Sequence, residues 1–252
     1  MIKYKCGRQV PVNVIKALKY VSKVGVLTTS QWHQHFGKGC LRWKQRQLKK
    51  MENKKFLKKH TAVSEGRWVL GTVGQETIEG LKFRPVTPVA PQHFIHDEFI
   101  GETLLLLELK TFCYSWLTEK QLKAQESKAF MIRGKDREIK YPDAVFKVVL
   151  DGKERTIALE YERTGKTYGR YKSILWQYNG LSSLDMILYV VENDEIKKRI
   201  IRAMKHVGGL RLQTRLAFVD AQDWFKDPSL ATIQIAGRSL KLADVCTPKA
   251  QI

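Results

Sequence analysis

The spacing of apolar residues predicts a helix over residues 11–23, because Val14 and Leu18 fall on one face. A short second helix follows, with Thr29 or Ser30 as its N-cap. Two helices this close in sequence predict that the chain begins with a small helical unit.

A third helix is predicted over residues 38–54, and its two sides differ. Leu41, Leu48 and Met51 cluster on one side and predict a buried face. The opposite side carries basic, amide and aromatic residues: Arg42, Trp43, Arg46, Gln47, Lys49 and Lys50. The same run of lysines is also compatible with a merely solvated face.

Two short runs after the third helix predict strands, at residues 56–62 and 66–71, joined by a turn around Ser64–Gly66. Three helices followed by a hairpin is the order of a winged helix-turn-helix domain. In such domains the third helix enters the DNA major groove. The hairpin, which carries Arg67, is expected to lie along the DNA backbone.

Prolines interrupt residues 83–92 and predict a linker there. The expected organisation is a DNA-binding domain at 1–82, this linker, and a larger domain at 93–252. In the larger domain an apolar helix near 94–112 precedes strands that alternate with helices. That alternation predicts an α/β (or α+β) fold with a mixed sheet covered by helices on both faces.

Charge changes this picture, because the net charge of +20 is unevenly placed. Residues 1–82 hold 18 Lys and Arg but only four Asp and Glu. A concentrated basic region is the electrostatic signature of a polyanion binder. DNA is the favoured partner; RNA remains open, an anionic membrane is less favoured, and a soluble basic surface is the simplest alternative.

The four cysteines are scattered without metal-binding spacing, which favours reduced thiols and a cytoplasmic protein. No apolar run is long enough to predict a membrane span. Membrane proteins and zinc proteins are therefore disfavoured.

The candidate chemistry lies in a predicted hairpin whose turn is near Asp151–Lys153. In such a hairpin, residues whose numbers add up to about 303 face each other. Asp143 and Glu160 meet this condition, so their carboxylates are expected side by side. Paired carboxylates bind hard divalent cations, and a cation held on them can activate water at a phosphodiester.

Here the chain resembles the PD-(D/E)XK nuclease superfamily over about residues 94–220, through Tyr-Pro-Asp143 and Leu-Glu160-Tyr-Glu162. Three features follow one another along the chain: a basic winged helix, then Pro-Asp-Ala-Val-Phe, then Leu-Glu-Tyr-Glu-Arg-Thr-Gly. More narrowly, this order resembles that of the replication-relaxation proteins of plasmids and other mobile elements. The resemblance implies that Asp143 and Glu160 bind Mg²⁺ or Mn²⁺.

The sequence departs from that pattern at Glu162, where the superfamily has its lysine. Arg163, Lys166 or Lys172 is expected to supply the missing positive charge, or Glu162 adds a third carboxylate. A helix-borne acid, Glu98 or Glu102, is a further candidate metal ligand.

The sequence therefore predicts a DNA-binding protein with metal-dependent strand cleavage in mobile-element replication or transfer. The alternative is a non-catalytic regulator, or an accessory replication or mobilisation factor, whose nuclease-like domain is degenerate. A second copy of the chain or other mobile-element proteins are the candidate protein partners.

Overall fold

The computed structural model describes residues 2–3, 9–60, 66–133 and 139–247. Contacts divide the chain into two units, residues 1–102 and 103–252. This division falls inside one helix and not at the linker expected at 83–92. The domain limits therefore stay a prediction. The predicted turn at Ser64–Glu65 lies outside the described residues.

The first unit contains helices and a small sheet. Its elements are β1 (Ile2–Lys3), β2 (Gln9–Val10), α1 (Val12–Val24), β3 (Leu27–Thr28), α2 (Thr29–Gln31, continued by a π-turn at Trp32–Phe36), α3 (Leu41–Asn53), β4 (Leu57–Lys59), β5 (Arg67–Leu70) and α4 (Thr72–Gly80). Strands β3, β5 and β4 form an antiparallel sheet in that order. The predicted helices and strand pair are therefore present, together with α4, which the pattern did not indicate.

The N-cap of α2 is Thr28, one residue before the predicted Thr29 or Ser30. The Thr28 hydroxyl accepts the Gln31 N–H at 3.0 Å, and the Gln31 side chain accepts the Thr28 N–H at 2.9 Å. This reciprocal capping box satisfies two backbone donors at the helix start. It ties the end of β3 directly to the second helix.

Helix α3 buries a narrower face than predicted. Leu48 and Met51 are buried, but Leu41 is 59% exposed. Leu41 is the first residue of the helix, so no preceding turn continues the apolar face around it. The buried face is confirmed for Leu48 and Met51 and wrong for Leu41.

The proline-rich segment is irregular but packed. The Val86 N–H donates to the Ser22 carbonyl at 2.9 Å, and Val89 is buried. Helix α5 (Phe94–Leu109) follows a short 3-10 turn. A Cβ at Gly101 would lie 2.6 Å from the Tyr20 hydroxyl, so this glycine lets α5 approach α1 closely.

The second unit contains the larger sheet. After α5 come β6 (Ser115–Thr118), α6 (Glu119–Ala124), β7 (Ile132–Arg133), β8 (Ile139–Lys140), β9 (Ala144–Leu150), β10 (Lys153–Glu162), α7 (Tyr168–Gly180), β11 (Met186–Val191), α8 (Asp194–Val207), α9 (Leu210–Arg215), β12 (Leu216–Asp220), α10 (Ala221–Lys226), β13 (Ile233–Ile235), β14 (Arg238–Leu240) and α11 (Leu242–Val245). No helix among the described residues is long and apolar enough to cross a membrane.

Seven strands form a mixed sheet in the order β14-β13-β12-β11-β10-β9-β6. Strands β10, β11 and β12 are parallel, and the outer pairs are antiparallel. All six residues of β11 are buried, as expected for a strand covered on both faces. The mixed α/β fold is therefore confirmed.

The β9–β10 hairpin has the predicted register. Leu150 pairs with Lys153 and Ala144 pairs with Leu159, so paired residue numbers add up to 303. Asp151 and Gly152 form the turn, both with positive φ (48° and 72°), as in a type I′ turn. This register places the residue before β9 beside Glu160.

Near the end of the sheet, helix α9 leads directly into β12. Leu210–Arg215 are helical, and the strand begins at Leu216. Strands β13, β14 and β6 have three or four residues each and carried no clear pattern. On α7, Trp176 is 64% exposed.

The type I′ turn is tested by two glycine substitutions. Gly152→Ala forces a Cβ into the left-handed region with no steric contact, so we expect it to lower the free energy of unfolding by about 1 kcal/mol. Gly169→Ala, in α7 and equally uncrowded, should raise it by about 0.5 kcal/mol. Urea denaturation measures both; equal effects would contradict the turn assignment.

Candidate functional site

The candidate site lies where β10 ends and β9 begins. Asp143 immediately precedes β9, and its carboxylate accepts the Tyr161 N–H at 2.8 Å. Because Ala144 pairs with Leu159, the next position along the ladder sets Asp143 beside Glu160. The predicted juxtaposition of these two acids is thus built by the hairpin register.

Glu160 is a buried carboxylate, with 1% of its surface exposed. The Lys140 ammonium donates to both of its oxygens, at 3.1 and 2.9 Å. The Tyr178 hydroxyl, from α7, donates to Oε1. Three separate elements (β8, β10 and α7) therefore meet at this one side chain.

Burial raises the pKa of Glu160 to about 7, although Lys140 and Tyr178 favour its charged form and Asp143 disfavours it. Burial also opposes the charge on Lys140, but the carboxylates, Glu160 foremost, raise the pKa of this ammonium above its ordinary value. Lys140 stays protonated, so the protonation state of the pair is set by Glu160.

Glu162 lies on the same side of β10 as Glu160, because side chains two residues apart share a face. It is also buried, and it has its own partners. The Lys166 ammonium forms an ion pair with Oε1, and the Tyr171 hydroxyl donates to Oε2 at 3.3 Å. The acid at the superfamily's lysine position is therefore held by a lysine four residues later.

Tyr189 of β11 completes the buried group. It is the register partner of Glu160, and its ring is fully buried. Burial and the two glutamates raise the pKa of its hydroxyl well above the ordinary value. That hydroxyl has no hydrogen-bond partner among the described residues. A water molecule or a ligand would satisfy this hydroxyl, as it would other buried polar atoms of the described residues.

Among the described residues, the ammonium groups of Lys140 and Lys166 pair with Glu160 and Glu162 respectively. Among the described residues, no group of three His, Cys, Asp or Glu side chains is arranged to hold a metal ion. Mg²⁺ is, however, commonly bound by one or two carboxylates together with substrate phosphates and water. Asp143 and Glu160 are two neighbouring carboxylates of this kind, and the Lys140 ammonium holds both oxygens of Glu160.

Other residues predicted for this site lie elsewhere. Glu98 belongs to the first unit, where its carboxylate accepts two hydrogen bonds from Arg67 at 2.5 and 3.2 Å. Lys172 lies with its ammonium 5.6 Å from the ring centre of Tyr168 and is not paired with Glu160. Sequence reasoning missed Lys140 altogether, since nothing in the local pattern marks the two-residue strand β8.

Helix α3 presents the exposed face predicted for it. Arg42, Arg46, Lys49 and Lys50 are exposed, and none of them forms an ion pair within the described part of the chain. Trp43 is 53% exposed beside them. Such a face provides unpaired cations and one aromatic ring, as nucleic-acid interfaces often do.

Two residues predicted to contact DNA are engaged within the protein. The Gln47 side chain donates to the Lys38 carbonyl at 3.2 Å, so it holds the loop before α3. The Arg67 guanidinium is held by Glu98 and lies 4.9 Å from the Phe94 ring centre. Both side chains therefore position neighbouring segments.

The tryptophans of the first unit separate into packing and exposed residues. Trp32 is fully buried and donates to the Lys44 carbonyl at 2.9 Å. Trp68 is buried and donates to the Thr29 hydroxyl at 3.0 Å. Of these three, only Trp43 has a ring surface that could stack on a base.

No protein-family model, curated protein or solved structure matches this chain. The interpretation of the site therefore depends on its geometry.

The ion pair of Lys140 and Glu160 can be tested by its stability. Lys140→Met leaves a buried carboxylate unpaired, so we expect the free energy of unfolding to fall by about 3–5 kcal/mol near pH 8. At about pH 5.5 the loss should be smaller, because a carboxyl of raised pKa is protonated there and leaves no buried charge. Urea denaturation at both pH values measures this.

The double variant Lys140→Met/Glu160→Met is the control, because it removes both charges at similar volume. We expect it to recover most of the stability lost in the single variant. A double variant as unstable as Lys140→Met alone would contradict the pairing.

Proposed function

We propose that this protein binds DNA through the exposed face of α3 and cleaves a DNA strand at the Asp143–Glu160 centre with Mg²⁺ or Mn²⁺. This proposal includes the finer fold assignment: a winged helix in the first unit and a PD-(D/E)XK nuclease-like domain in the second. It also includes the setting of plasmid or mobile-element replication or transfer, on the resemblance described above.

The observation that carries the nuclease proposal is the position of Lys140. The sequence pattern lacks a lysine two residues after Glu160, and such a lysine is needed to stabilise negative charge on the phosphate. Lys140 brings an ammonium group to the same carboxylate from β8. In this proposal Lys140 takes the role of the missing lysine from a different strand.

The chain's own groups would divide the work. Asp143 and Glu160 would hold the cation, which would activate water and neutralise charge on the phosphate. When Glu160 binds the cation, the Lys140 ammonium would leave this carboxylate and contact a phosphate oxygen. Tyr178 keeps Glu160 oriented, and the Glu162–Lys166 pair supports the neighbouring loop.

Cleavage is tested by incubating supercoiled plasmid with the protein and Mg²⁺ or Mn²⁺. We expect nicked or linear product from the parent and a loss of at least about 100-fold in Asp143→Asn and Glu160→Gln, as when a charged catalytic group is removed. Glu195→Gln, a highly exposed carboxylate, is the matched control. Plasmid left intact by the parent under all conditions would remove the nuclease proposal.

The pH dependence follows from the raised pKa of Glu160. A cation needs the ionised carboxylate, so cleavage should rise about tenfold per pH unit below about pH 7 and level off above it. Initial rates across this range measure it. A rate independent of pH below 7 would show that Glu160 is not the titrating ligand.

DNA binding by α3 is tested by changing Arg42, Arg46, Lys49 and Lys50 to Gln. If all four contact phosphates, the slope of log affinity against log salt concentration should fall by about 3–4. The control removes four exposed lysines of the second unit: Lys153, Lys198, Lys226 and Lys241. Equal effects in the two variants would show that DNA binding depends on net charge alone and not on the face of α3.

A second candidate function is DNA binding without cleavage, as a regulator or accessory factor. It is favoured by the satisfaction of both glutamates within the chain, since Glu160 and Glu162 each have a lysine and a tyrosine partner. In that case the charged groups hold the fold together. The plasmid experiment separates the two functions, because a parent that shifts DNA without cutting it supports the second.

A further inference from the structure

A group of cations surrounds Tyr168 at the start of α7. The Lys172 ammonium lies 5.6 Å and the Arg202 guanidinium 5.5 Å from the ring centre. The His206 ring meets the same ring edge-on, with centres 5.5 Å apart. Helices α7 and α8 thus direct basic side chains to one aromatic ring, and we call Lys172, Arg199 and Arg202 the α7–α8 surface.

Arg199 extends this surface towards the buried acids. A Cβ at Gly165 would lie 3.2 Å from the Arg199 guanidinium, so the absence of a side chain there leaves room for it. Gly165 adjoins Lys166, which is paired with Glu162. The α7–α8 surface therefore borders the carboxylate centre through a single short loop.

These cations have no carboxylate partners. Within the described ranges, Lys172, Arg199 and Arg202 form no ion pair. Other residues in the same ranges form ten ion pairs. The nearby Glu195 carboxylate is engaged by Lys198 at 3.0 Å. Like charges gathered without an internal counter-charge favour an external polyanion.

We propose that the α7–α8 surface holds the phosphate backbone of the DNA strand next to the phosphate that enters the Asp143–Glu160 centre. The inference rests on the proposed function and deepens it by adding a second DNA contact, within the second unit. A strand presents one phosphate about every 3.4 Å of helix axis, so neighbouring cations can contact successive phosphates. An acidic protein lacks this regular charge spacing.

The test measures binding of a 20-base-pair DNA duplex by the full chain over a range of salt concentrations, without divalent cations. In Lys172→Gln/Arg202→Gln the slope of log affinity against log salt should fall by about two, since each phosphate contact contributes about 0.9. The charge-preserving variant Lys172→Arg/Arg202→Lys should keep most of the slope. Lys226→Gln/Lys241→Gln, with the same change in net charge, should resemble the parent.

The outcomes are separable from those of the plasmid experiment, because binding is read without cleavage. An unchanged slope in Lys172→Gln/Arg202→Gln, or an equal change in the Lys226/Lys241 control, overturns the inference even if the protein cuts plasmid. The expected fall in slope supports it even if the protein never cuts. The surface is not a phosphate-backbone site if the charge-preserving variant loses as much slope as the Gln variant. The same conclusion follows if the binding of polyglutamate depends on these residues as strongly as the binding of DNA.

Discussion

The carboxylate of Glu160 imposes the strongest constraint on the second unit. A charged group with 1% exposure is costly unless partners compensate the lost hydration. Lys140 and Tyr178 supply these partners from β8 and α7, so the ends of three elements must converge on one point of the sheet. The hairpin register then adds Asp143 to the same point. Folding of this region and formation of the candidate centre are therefore the same event.

The two glutamates have partners, but a hydroxyl beside them has none within the described residues. Lys140 and Lys166 pair with Glu160 and Glu162, whereas the Tyr189 hydroxyl stays unsatisfied there. A purely structural ion-pair network would be expected to close this gap, since buried polar groups are normally hydrogen-bonded. In the proposed function, a bound phosphate or water would satisfy this hydroxyl.

Local patterns predicted the parts of the structure that depend on neighbours in sequence. The β9–β10 register follows from its two-residue turn, and the buried Leu48 and Met51 follow from helical spacing. Where a contact joins distant segments, the pattern was silent. Lys140 sits on a two-residue strand, twenty positions from Glu160, so only the tertiary fold reveals their pairing.

The errors have similar causes. Leu41 has the right helical phase for burial but lies at the helix end, where no neighbouring turn covers it. Lys172 was expected to replace the missing lysine because it is near in sequence, whereas helix geometry directs it to Tyr168. Proximity along the chain identified Lys166, which pairs with Glu162, but not Lys140, which pairs with Glu160.

The central claim is that Asp143 and Glu160 form half of a cation site that a phosphate completes. Binding of Mn²⁺, followed through the electron paramagnetic resonance signal of the free ion, tests it with and without a non-cleavable phosphorothioate DNA duplex. The account expects a Mn²⁺ site that is weak in the protein alone, tightens when DNA is added, and is lost in Asp143→Asn. Mn²⁺ binding that is unaffected by DNA, or equal in the parent and Asp143→Asn, would contradict it.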